Sequence, residues 1–284
     1  METIPRPGSA SPLTRHAGRP LRRTLAAALT ALGLAGLLAA PAAASPLPDT
    51  IERVTPSVVG LGTYAPTRTP RLDFHGTGFI VADGRAVLTN SHVIPPKGEL
   101  DLEARERYVA LVGDPGDPAL RSFEVFERLP DSDLALLRLE GDPLPALTLG
   151  TPGDLRIGHP VAYTGFPIGM IVGFYPVTHT AHIAARTPMA LPARRDSELD
   201  AAQIRRLRHR DPPMVFQLDG TAYPGNSGSP VYDVETGAVK AVLNKVFVQG
   251  GREAAIAEPS GISYAIPVDL ADPLLERYRQ HHGG

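Results

Sequence analysis

The sequence predicts an all-β protein whose strands would fit two small barrels side by side, and three observations carry that prediction. From Val54 onward, short runs rich in Val, Ile, Leu, Phe and Tyr alternate with Gly, Pro and Asp, the pattern of short strands joined by turns. The runs fall into two sets of about six, and many short strands at fairly regular spacing read as a barrel or a sandwich. With 28 Gly and 30 Pro in 284 residues, turns are favoured over long helices.

The first set comprises Ser57–Tyr64, Gly76–Val81, Ala86–Thr89, Tyr108–Val112, Ser122–Phe126 and Leu134–Leu139. The second comprises Pro160–Thr164, Ile171–Ala185, Met214–Leu218, Pro230–Tyr232, Ala238–Val248 and Ile262–Ile266. No sequence repeat relates the two. Asp196–Arg210 leaves the pattern and reads as a helix: Ser197 and Asp200 have capping-box spacing, and five basic residues follow. Charge runs are usually solvated faces, so a surface helix is expected there rather than a regulatory element. Near the end, Asp272 can cap a helix and Pro273 suits its first position, with Leu274, Leu275 and Tyr278 on one face. The terminal His281-His282 pair is expected to be disordered.

The leader has its own logic. Arg15, Arg19, Arg22 and Arg23 precede an apolar run, Leu25 to Ala40, and then the small residues Pro41-Ala42-Ala43-Ala44. This is the layout of an export signal cleaved after about Ala44. The run of 16 residues is short of the roughly 20 that span a bilayer, so cleavage is favoured over anchoring and no stable membrane insertion is expected afterwards. Arg22-Arg23 leaves the twin-arginine and general export routes equally open. The expected division is a signal peptide over residues 1–44, a first barrel over 45–150 and a second over 151–284.

Composition excludes several classes. The leader holds five Arg and one Glu of the chain's 28 basic and 30 acidic residues, so the remainder has 23 and 29 and a net charge of −6. No basic field suggests a nucleic-acid partner. The absence of cysteine rules out disulfides and Cys-ligated zinc. The remaining histidines have no metal-ligand spacing, and no metal or cofactor is expected.

Three segments carry chemistry. In Gly225-Asn226-Ser227-Gly228-Ser229-Pro230, glycines flank a serine. Attack on an amide needs a hydroxyl exposed on a tight turn and backbone N–H groups aimed at the developing oxyanion. In Leu88-Thr89-Asn90-Ser91-His92-Val93 a histidine follows a strand, and in Asp131-Ser132-Asp133-Leu134-Ala135-Leu136-Leu137 an aspartate opens one. Each segment alone is weak: such clusters are mostly turns, structural histidines and strand edges. Together, in the order His92, Asp133, Ser227, they assign a base, the residue that orients it and a nucleophile. That order separates the chain from subtilisin-type and α/β-hydrolase arrangements, which also argues against an esterase or acyltransferase. Asp131 is the rival for the acid; the apolar strand that follows decides for Asp133.

With these motifs in place, the chain resembles a chymotrypsin-fold serine protease over roughly Val54 to Asp269. The resemblance implies two six-stranded antiparallel β-barrels with the site in the cleft between them. Gly76-Thr77-Gly78-Phe79-Ile80-Val81, Gly165-Phe166-Pro167-Ile168-Gly169 and Gly261-Ile262-Ser263-Tyr264-Ala265-Ile266-Pro267 resemble the HtrA-type branch. Ser229, where that branch usually has Gly, resembles glutamyl endopeptidases instead. The segment expected after the catalytic domain of an HtrA enzyme, a PDZ domain, is not in the sequence, so a PDZ-less HtrA-like domain is favoured.

By the same resemblance, the N–H groups of Gly225 and Ser227 form the oxyanion hole and Thr221 lies at the base of the S1 pocket. Thr221 is uncharged and Val242 stands where glutamyl endopeptidases have histidine, so cleavage after Lys, Arg or Glu is not expected, and a small or medium apolar P1 is. Substrate backbone would pair within Ala241–Val246. The expected function is hydrolysis of exported or misfolded protein and peptide substrates in the periplasm or outside the cell; a catalytically silent protease-fold binding protein is the alternative. Oligomeric state is left open.

Overall fold

The computed structural model describes residues 46–167, 173–189, 213–246 and 261–282. The expected helix at Asp196–Arg210 and the leader lie outside them. Among the described residues, β1 (Val58–Tyr64), β2 (Leu72–Val81), β3 (Ala86–Asn90), β4 (Arg107–Val112), β5 (Ala119–Leu129) and β6 (Leu134–Leu139) close a first barrel. A second barrel contains β7 (Pro160–Gly165), β8 (Val177–Pro188), β9 (Met214–Leu218), β10 (Pro230–Asp233), β11 (Val239–Val246) and β12 (Ser263–Pro267). Both have the same topology: the first is bonded in the order β1-β2-β3-β6-β5-β4, the second β7-β8-β9-β12-β11-β10, with every pairing antiparallel. The expected fold class, two six-stranded antiparallel barrels and a short C-terminal helix, is the observed one.

Side-chain alternation explains why some strands read clearly. On β6, Ala135, Leu137 and Leu139 join the core inside the first barrel, while Leu134 and Leu136 join a cluster drawn from both barrels. A strand buried on both faces is a continuous apolar run, as this one is. On β5 most residues are only half-buried, so its apolar signal is weak. It extends three residues beyond the predicted segment at each end.

Two elements depart from expectation. Leu47–Val54 is a helix, α1, with Pro48 in its first turn and Thr50 and Val54 buried. Eight residues form no stable helix in isolation; this one is held by packing. It precedes the first barrel in sequence but lies on the β10–β11 turn of the second: Thr50 Oγ1 donates to Glu235 O at 3.3 Å. At the other end, α2 (Asp272–His282) includes His281 and His282 in its last turn. Their rings pack against Phe126 at 5.8 and 5.6 Å, so this pair is ordered helix and not a loose end. No helix among the described residues is long and apolar enough to cross a membrane.

Candidate active site

β3 ends at Asn90, and the short 3₁₀ turn Ser91–Val93 carries His92. Asp133 sits between another short turn, Pro130–Ser132, and β6. Its backbone is left-handed, φ 51° and ψ 41°, a conformation that Asp and Asn tolerate better than most residues. This twist lets one residue hold the histidine turn at several points. Asp133 O accepts the Ser91 N–H at 3.0 Å and the Asn90 amide at 3.2 Å. Asp133 Oδ1 accepts the His92 backbone N–H at 3.0 Å, and Oδ2 accepts His92 Nδ1 at 2.7 Å.

An ionised carboxylate only accepts, so Nδ1 carries the proton and a neutral ring leaves Nε2 as the basic nitrogen. Burial pushes the Asp133 pKa up. The His92 ring bond and charge, the His92 N–H and the Asn244 amide outweigh it and hold the carboxyl below the ordinary aspartate value. Asp131, the rival acid, is exposed and makes no hydrogen bond to His92.

The serine turn runs from Tyr223 to Ser229. Asn226 N–H donates to Tyr223 O at 3.0 Å, Gly228 N–H to Leu243 O at 2.8 Å and Ser229 N–H to Asn226 O at 3.0 Å. Among the described residues, the N–H groups of Gly225 and Ser227 donate to no protein acceptor. Donors left free beside a nucleophile are what stabilising an oxyanion requires. Gly228 has φ 88°, and a Cβ there would fall 1.9 Å from Thr77 O; only glycine fits. Gly76 lets the barrels meet, since a Cβ on it would lie 2.9 Å from Val93 and 3.0 Å from Ser227 O. The Ser227 hydroxyl makes no hydrogen bond to the His92 ring among the described residues. In apo sites this contact is commonly long and tightens when substrate binds.

Thr221 is half-buried on the segment leading into the turn. Its carbonyl accepts from Tyr163 OH at 2.6 Å, and the preceding Gly220 O accepts from the buried Ser263 Oγ at 2.9 Å. The Tyr163 ring stacks on His179, centroids 5.2 Å apart, and His179 in turn leans on Tyr223 at 6.0 Å. Burial lowers the His179 pKa, so this prop is a neutral ring.

A model of the trypsin-like peptidase domain matches residues 76–242. The chain belongs to this family. Among the proteins it is similar to are several with HtrA-type names. It is 29% identical over 199 residues to a "Probable periplasmic serine endoprotease DegP-like" of Hahella chejuensis, covering 69% of this chain and 34% of that one. It is 29% identical over 252 residues to "Serine protease PepD" of Mycobacterium tuberculosis, covering 85% and 50%. The chain thus spans a third to a half of the length of these relatives. The solved structure of the HtrA-type protease AlgW with a decapeptide superposes with a TM-score of 0.58 at 22% identity, covering 83% of this chain and 68% of that one; the likeness is one of fold.

Within this trypsin-like frame, two candidate site residues escape sequence reasoning. Asn244 on β11 donates its Nδ2 to Asp133 Oδ2 at 2.9 Å. Its signal is a buried amide inside the apolar run Ala241-Val242-Leu243-Asn244. Thr77 lies in a quoted motif, but its role is visible only in the fold. Its N–H donates to Ser227 O at 2.9 Å and its hydroxyl to Gly225 O at 2.7 Å. It pins both residues that bear the free N–H groups.

Proposed function

We propose that this protein is a serine endopeptidase in which Ser227 is the nucleophile, His92 the general base and Asp133 the residue that orients the base. One observation carries the reading: a histidine held by its aspartate at both backbone and ring, with a serine turn in which the N–H groups on either side of Asn226, those of Gly225 and Ser227, meet no protein acceptor among the described residues. In the reaction, Ser227 Oγ attacks the scissile carbonyl and its proton passes to His92 Nε2. The oxyanion is received by the N–H groups of Gly225 and Ser227. The imidazolium, stabilised by Asp133, then protonates the leaving amine, and water hydrolyses the acyl-enzyme by the same steps.

Thr221 stands at the base of the P1 pocket. With no charge there, a small or medium apolar P1 side chain is favoured. The substrates are exported or misfolded proteins and their peptides, met in the periplasm or outside the cell after removal of residues 1–44. The periplasmic names of the relatives and the peptide-bound HtrA-type structures support this reading.

A fluorophosphonate probe tests it. The protein without its leader should be labelled, and Ser227→Ala should not. His92→Ala should lower peptidase turnover by at least about a thousandfold. The unmade Ser227–His92 hydrogen bond is the observation that favours the alternative, a silent binding protein. An unlabelled wild type that also digests nothing would decide for that alternative.

A further inference from the structure

The turn carrying His92 is followed by Ile94-Pro95-Pro96. The two prolines have no N–H, so the chain leaving His92 cannot tie itself down through backbone donors there. Val93 and Ile94 anchor one side of it in the core of the first barrel, but its open side borders a cleft of about 450 Å³ lined by His75, His92, Glu99 and Arg128. Arg128 supplies the missing donors. Its Nη1 donates to Ser91 O and Ile94 O, both at 2.8 Å, and its Nη2 to Pro95 O at 3.1 Å. Tyr108 OH adds a further donor to Pro95 O at 2.8 Å. One guanidinium therefore grips carbonyls on both sides of His92.

Arg128 and Asp133 also belong to one hairpin. Arg128 on β5 faces Ala135 on β6, and Leu129 faces Leu134. The hairpin that presents the carboxylate to His92 Nδ1 therefore also presents the guanidinium to the loop that carries the ring. We propose that Arg128 is a positioning residue for His92, fixing the turn so that Nε2 stays aimed at the serine turn; the inference rests on the peptidase reading above. A planar, multi-donor fork suits three fixed carbonyls, and a lysine ammonium would not match it.

The experiment uses the leaderless protein and three variants. Arg128→Met keeps most of the apolar stem and removes every donor. It should lower kcat by roughly ten- to a hundredfold with KM within about twofold, because a small misplacement of a catalytic group costs rate more than binding. Arg128→Lys should recover part of the loss. Millimolar guanidinium chloride, against sodium chloride at equal ionic strength, should raise kcat of Arg128→Ala and leave wild type unchanged. Probe labelling rates should follow kcat. Unchanged kcat and labelling in Arg128→Met would overturn the role of Arg128 and leave the triad standing. So would a loss that merely tracks the folded fraction by circular dichroism, with no guanidinium rescue. A wild type inert to both probe and peptide overturns both readings, since there is then no reaction for His92 to be positioned for.

Discussion

Asn244 reaches from the second barrel to a carboxylate on the first, and its worth can be measured. Asp133 Oδ2 is shared by the His92 ring and the Asn244 amide. A hydrogen bond to a charged group contributes about 1.5–3 kcal/mol. Asn244→Ala should therefore lower kcat/KM by at least roughly tenfold, read by steady-state kinetics. Ser229 is the opposite case. Its hydroxyl is buried with no partner, and it occupies the space a side chain at Gly165 would need, 2.0 Å from a Cβ placed there. A buried hydroxyl without a hydrogen bond costs about 1–3 kcal/mol, so Ser229→Ala should stabilise the protein and raise Tm by roughly 2 °C or more. Ser229 was visible in the sequence as a departure from the usual Gly, but a single letter cannot say whether a hydroxyl finds a partner. His92, Asp133 and Ser227 were legible because each sits in a short motif whose neighbours are themselves constrained.

The β10–β11 turn shows how a local element is coupled to a distant strand. Asp233 Oδ1 accepts the N–H groups of Glu235 and Thr236 and the Thr236 hydroxyl, while its Oδ2 meets His159 Nε2 at 2.8 Å. Burial raises its pKa. The His159 bond and the turn donors outweigh that and hold it at about 2, against an ordinary 3.8. A depressed carboxyl pKa stabilises the fold fully above the unfolded value and loses that contribution as pH falls through the folded one. Asp233→Asn should cost about 2 kcal/mol at pH 7, and the gap to wild type should narrow as pH falls from about 4 toward about 2; urea titrations at pH 7 and pH 3 measure it. The turn falls between the predicted segments Pro230–Tyr232 and Ala238–Val248, but its tie to His159, 74 residues away, was not legible. α1 was missed for a related reason: eight residues with two prolines nearby carry little helical signal, and the surface that stabilises them belongs to the other end of the chain.

The two barrels are held together by a cluster that neither could build alone, and by α2. This helix follows the last strand of the second barrel but docks on the first. Tyr278 OH accepts from Arg138 Nη1 at 2.7 Å and lies 3.1 Å from Asp83 Oδ1. Arg277 pairs with Glu127 through two bonds of 2.6 and 2.8 Å. The Tyr278 ring is 1% exposed and meets Phe126 edge-on at 5.2 Å. Tyr278→Ala should cost roughly 3–5 kcal/mol and Tyr278→Phe about 1 kcal/mol in urea denaturation, separating packing from the polar contact. An exposed ion pair such as Arg277–Glu127 contributes far less, and Arg277→Ala should change stability by under about 1 kcal/mol.

Local physics alone determined much of this protein from its sequence. Alternation and turn residues located the strands, their two sets of about six fitted two barrels, and three motifs in a fixed order, with the family resemblance they carry, pointed to the proposed triad. The tertiary structure decided what meets what. That Asn244 completes the aspartate, that Thr77 pins the serine turn, that Arg128 grips the loop beside His92 and that α1 rests on the second barrel are contacts between distant segments. Hydrophobic period and turn chemistry report each residue's own backbone and burial. They carry no record of which partner lies across the closed barrel, and hydrogen bonds at that range exist only once the elements that carry both partners have come together.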